Sequence, residues 1–283
     1  MKIPEHLKGK SLFDFLVKNK KALINDKKSM PVKFCDSFQH SATVKFKTKS
    51  GAVKDAASDD TEDPTDTDII RVEVIANTAL WMDSQSDVLL VDAAKRSIQQ
   101  RKMLMVHISN HDYKVQSKVG EVVDVQLRVM AWKDLGVNIP GETQVIVFIT
   151  DVMKSYDEKI FNQYKAGKIN QHSIGLCYIS GGIELAINDP DYEKEIDFWN
   201  KYIDTIGNKD EAIAQGYFWV ISEFKLLENS SVLFGSNILT PTLSTTGKMD
   251  GTDPDNDDEG DEPPIEVEDC TYSINMGALL TIF

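Results

Sequence analysis

Two stretches of this chain cannot enter a hydrophobic core, and they confine the fold to what lies around them. Residues 55–68 (DAASDDTEDPTDTD) carry seven acids and no base, and residues 249–269 (MDGTDPDNDDEGDEPPIEVED) carry eleven acids and no base. Such segments bury too little apolar surface to offset the entropy lost on ordering. The expected organisation is therefore a basic amphipathic helix in 1–30, a folded body over 31–245 with a disordered insertion at 49–68, and a flexible acidic tail at 246–283. The two tracts hold eighteen of the forty-five acids, so the net charge of −14 belongs to them. The remainder sets thirty-one Lys and Arg against twenty-seven acids, and that near balance points to no nucleic-acid partner.

No apolar run reaches the ~18 to 20 residues of a membrane helix. The opening MKIPEHLKGK lacks the apolar core of a secretory signal, so a cytoplasmic setting is expected. Cys35, Cys177 and Cys270 are odd in number and widely spaced, with no CxxC pair, and read as free thiols. Neither a zinc site nor a phosphate-cradling glycine loop is present, so no metal or cofactor is expected.

Hydrophobic periodicity supplies the elements. Ser11 to about Lys28 reads as a helix, with Leu12, Phe13, Phe15, Leu16, Leu23 and Ile24 opposed to Lys18, Lys20, Lys21, Lys27 and Lys28. It suits docking to an acidic partner and packing on its own domain equally well. Strands are expected at 43–47, 69–76, 103–107, 120–129, 145–149, 174–179, 217–224 and 231–234. Helices are expected at 91–100, at 191–204 and from Asp151 to about Lys165, where Gly167 ends the last. Many short strands with few helices indicate an α+β chain whose strands form a mainly antiparallel barrel or sandwich.

Five histidines are available for proton transfer. His107 and His111 lie where a strand passes into a loop, a usual place for exposed catalytic groups. Ser173 opens a strand in Gln171-His172-Ser173-Ile174-Gly175, where Gly175 allows close approach of another group. Both histidines remain open as its base on these grounds.

The order of segments resembles that of the tailed-phage prohead maturation proteases, relatives of the herpesvirus assemblins. The likeness rests on Ser109-Asn110-His111-Asp112 followed by Val119-Gly120, and on Tyr164 to Gly167 leading into His172-Ser173-Ile174-Gly175. It continues in Leu226-Leu227-Glu228-Asn229-Ser230, then Phe234-Gly235-Ser236-Asn237, and in Ala76 to Ala94 with Asp83, Asp87 and Asp92. It covers about residues 69–240. Ile174 stands where the family has an aromatic residue, and Gly235-Ser236 where it has Pro-Ala.

The resemblance implies a closed β-barrel wrapped by helices and a serine endopeptidase. Ser173 would be the nucleophile, His111 the general base and Glu228 the orienting acid, with His107 the competing base. Substrates would be the major capsid protein and scaffold segments, and the protease itself, inside the assembling procapsid of a bacterial host. Self-association there is also implied. The alternative is a catalytically silent assembly scaffold that keeps the protease fold.

Overall fold

The computed structural model describes residues 3–29 and 68–247. The strand expected at 43–47, the insertion to residue 67 and the tail from 248 lie outside the described residues. The first helix, α1 (Lys10–Ser29), begins after Gly9, whose φ of +53° turns the chain into it. Its N-terminus lies one residue ahead of Ser11, which is inside the helix. Phe13, Leu16 and Leu23 form a buried stripe, and Lys27 continues that stripe at helical spacing. The apolar face is spent on the chain's own body.

Among the described residues, ten strands form two sheets. The larger has seven, in the order β10 (Thr242–Gly247), β1 (Ile69–Thr78), β5 (Glu142–Met153), β4 (Lys118–Ala131), β3 (Val106–Ser109), β9 (Phe224–Ser231), β6 (His172–Tyr178). Every neighbouring pair is antiparallel except β3 with β9. The smaller sheet is β2 (Asp87–Leu89), β8 (Tyr217–Ile221) and β7 (Ile183–Ile187), with β2 parallel to β8.

A closed, mainly antiparallel barrel is therefore not what the chain forms. The sheet is open and mixed, and its edge strands β10 and β6 do not pair with each other. After β6 the chain turns at Gly181, with φ of +81°, and β7 pairs with β8 in the other sheet rather than extending this one toward β10. An added Cβ at the next residue, Gly182, would meet the Glu223 carbonyl at 2.2 Å, so that turn needs glycine.

Residues 145–149 read as a continuous apolar run because β5 is covered on both faces. Val145 and Val147 face a cluster with Ile75, Trp81, Trp132 and Leu135, while Ile146 and Phe148 face the main core. The main core also takes Phe13, Leu16 and Leu23 of α1 together with Leu185, Tyr217 and Trp219 of the smaller sheet. The far face of that sheet is covered by α4 (Glu193–Tyr202) and α5 (Lys209–Gln215), where Trp199 packs on Phe218 at 5.2 Å.

Asp151 does not start a helix. It lies in β5, paired in register with Glu121 and Arg71, and its carboxylate receives Arg71 Nε at 2.8 Å. The helix α3 (Glu158–Lys165) starts later, where the Asp157 carboxylate accepts the amides of Lys159 and Ile160. The helix expected at 91–100 contracts to α2 (Lys95–Arg101), and residues 232–234 form a loop beyond β9. Strands β2, β7 and β10 and helix α5 had no counterpart among the sequence expectations.

Candidate active site

Three strands converge where the sheet's parallel pair meets its edge. The C-terminal ends of β3 and β9 and the start of β6 lie side by side, with Ser109 and His172 both paired to Ser231. Beyond β3 the chain turns at Ser109–Asp112, closed by the Asp112 amide on the Ser109 carbonyl at 3.0 Å. Asn110 and His111 both have φ of +53°, a left-handed pair that non-glycine residues adopt at a cost. Asn is among the residues that tolerate this conformation best, so the Ser-Asn-His-Asp segment did carry a turn signal.

That turn folds His111 back over the sheet. Its amide donates to Ser230 Oγ at 3.0 Å, and Nδ1 meets Glu228 Oε1 at 2.6 Å. Ser230 Oγ in turn donates to Glu228 Oε2 at 2.9 Å. Across the β6–β9 ladder Ser173 is directly opposite Ser230, and Gly175 is directly opposite Glu228. Directly opposed residues share a face, with Cβ atoms ~4.5 to 5.5 Å apart. Ser173, Ser230, Glu228 and His111 therefore meet on one face. All four are buried; Ser173 is 4% exposed and His111 6%.

Glu228 reaches that face through a β-bulge. Phe224 and Leu226 point into the core, and strict alternation would send residue 228 the same way. The register instead passes from Leu226 opposite Leu176 to Glu228 opposite Gly175, leaving Leu227 as the extra residue. The slip reverses the faces, so Asn229 and Ser231 turn inward and Glu228 turns out toward His111. Gly175 makes room for it. A Cβ there would lie 2.4 Å from Glu228 Oε1 and 2.5 Å from the Tyr113 hydroxyl. Tyr113 is half exposed, and its hydroxyl is pushed up by burial and then by the Glu228 charge.

The other two central histidines occupy the opposite face. His107 Nδ1 pairs with Thr150 Oγ1 at 3.0 Å and its Nε2 with Ser231 Oγ at 3.0 Å. His172 Nδ1 donates to the Thr240 carbonyl at 2.8 Å, and the Tyr164 hydroxyl sits 2.8 Å from its Nε2 and 2.7 Å from Ser231 Oγ. His107 is thus separated by the sheet from Ser173, which removes it as a competing base. Asp112, half-buried and 3.2 Å from Lys114 Nζ, is paired there instead. Among the described residues no three His, Cys, Asp or Glu gather as metal ligands.

Burial holds both inward histidines neutral. It lowers His172 from 6.5 to about 4 and takes His107 well below its ordinary value, with the neighbouring His172 adding to the latter. In the unfolded chain both would protonate near pH 6.5. Stability should therefore be full above about pH 6.5 and fall as the pH drops from there toward 4. The expected slope is ~1.4 kcal/mol per pH unit for each histidine. Urea titrations at pH 7.5, 6 and 5 would measure it, and His172→Gln should flatten the dependence by about one proton.

The fold gathers Ser173, His111 and Glu228, the three residues that the sequence singles out. Ser230 is visible in the sequence only as part of a motif, and Tyr113 carries no local signal. No family model matches the chain, and searches of the curated proteins and of the solved structures find no match either.

Proposed function

We propose that the chain is a serine endopeptidase of the prohead maturation type. One observation carries the reading: Ser173 shares a sheet face with a histidine whose Nδ1 is held at 2.6 Å by a buried carboxylate. Glu228 takes the Nδ1 proton's hydrogen bond, which leaves Nε2 as the basic nitrogen. In the reaction Ser173 Oγ attacks the scissile carbonyl carbon while His111 Nε2 takes the serine proton. The imidazolium, opposite the Glu228 carboxylate, then protonates the leaving amine as the C–N bond breaks. A water molecule attacks the acyl ester, gives its proton to His111, and Ser173 is regenerated when that proton returns to Oγ.

The sequence resemblance supports the substrate class: capsid protein and scaffold segments inside an assembling shell, and the chain itself. The near-complete burial of Ser173 favours one second reading, an assembly scaffold that retains the fold without turnover. The test is treatment of the intact protein with a fluorophosphonate, followed by peptide mass mapping. A single adduct on Ser173 is the expected result. An adduct elsewhere would overturn the nucleophile, and no adduct under conditions that label a control protease would favour the scaffold reading.

A further inference from the structure

We propose that Ser230 is a positioning residue of this site, holding the general base and its carboxylate in one rigid unit; the inference rests on the reading of Ser173, His111 and Glu228 given above. Ser230 is fully buried on β9 and is the cross-strand neighbour of both Ser173 on β6 and Ile108 on β3. A hydroxyl has one hydrogen to give and can accept others. Because the His111 amide can only donate, Ser230 Oγ must accept there, at 3.0 Å, and its own hydrogen is directed to Glu228 Oε2 at 2.9 Å.

Directionality makes this more than a filled hydrogen-bond position. The His111 amide polarises the Ser230 hydroxyl, that hydroxyl occupies one oxygen of Glu228, and the other oxygen is left for His111 Nδ1 at 2.6 Å. The path starts and ends on His111, closing a ring through three residues. It fixes the carboxylate's rotation, and through it the tautomer that leaves Nε2 basic. It also ties down the left-handed backbone at His111, where φ of +53° gives the turn a reason to relax.

Two variants test this. Ser230→Ala removes the hydroxyl, and Ser230→Cys keeps nearly its size while replacing it with a weak donor and acceptor, so the cysteine variant carries the test if alanine does not fold. The rate of fluorophosphonate attachment to Ser173 should fall about tenfold or more in either variant. In a Glu228→Ala background the same change should cost less than twofold, because Ser230 then has no carboxylate to hold. An equal loss in both backgrounds would mean a merely structural role and overturn the proposal.

A second readout needs no reactive serine. In protein labelled with ¹⁵N-histidine, solvent exchange of the His111 Nδ1 proton should be slow, and at least tenfold faster in Ser230→Cys. Unchanged exchange would overturn the positioning role whether or not Ser173 reacts. Slow exchange that Ser230→Cys speeds up, together with an unreactive Ser173, would keep the ring and remove only the peptidase reading.

Discussion

Ser173→Ala is expected to remove essentially all turnover of an unfolded protein substrate, a loss of about 10⁶-fold, while leaving the fold intact. Ser173 is small and sits at the start of β6, opposite Ser230, so alanine leaves little space unfilled. Intact-mass time courses would measure the loss, and a melting temperature within a few degrees of wild type would show that the fold survives. Glu228→Gln belongs to the same series. The amide preserves shape but presents one donor and one acceptor where the carboxylate presents two acceptors. The two groups that point at Glu228, His111 Nδ1 and the Ser230 hydroxyl, both lie within hydrogen-bonding distance. One of them must lose its acceptor or reverse, and His111 then tends to the tautomer that cannot act as base. A fall of ~10³ to 10⁴-fold in the rate of Ser173 labelling is expected. Retained labelling in Glu228→Gln would mean that the acid is not a working member of the site.

The second large effect concerns stability. Lys27→Met should destabilise the chain by ~3 to 5 kcal/mol, because it strips the cation from a buried carboxylate. Lys27 Nζ lies 2.8 Å from Asp87 Oδ1, and Asp87 is fully buried, with its other oxygen bonded by the Tyr178 hydroxyl. The ammonium also rests over the rings of Tyr178 and Trp219, at 5.6 and 5.7 Å from their centroids. For a domain of this size the loss corresponds to a melting temperature lower by roughly 10 °C. The double variant Lys27→Met with Asp87→Asn should recover much of it, since no uncompensated charge is then buried. If Lys27→Met alone melts like wild type, α1 is not anchored by this pair.

The pair also explains why α1 could be read two ways. Its apolar stripe and its lysines were visible in the sequence, but a stripe does not say what it packs against. Lys27 looked like part of the wet basic face with Lys28, whereas it extends the stripe of Phe13, Leu16 and Leu23 down to Asp87. A lysine becomes a core contact only where a buried carboxylate waits for it, and Asp87 is sixty residues away in sequence.

By itself the sequence determined what local pattern can determine. The run Val145–Ile149 is a strand because all five residues are apolar and four are β-branched, and α3 ends before Gly167, which takes φ of +64°. Ser173, His111 and Glu228 were legible as a set through their segment order. Tertiary structure decided the rest. The sheet is open and not a barrel because β7, which follows β6, pairs with β8 of a second sheet, a choice made by long-range pairing. Ser230 entered the site because β9 lies between β3 and β6, and Glu228 faces His111 only because Leu227 is bulged out of register. A one-residue slip costs little locally yet reverses every side chain beyond it, so its position is set by the partner strand and not by the sequence of β9 alone.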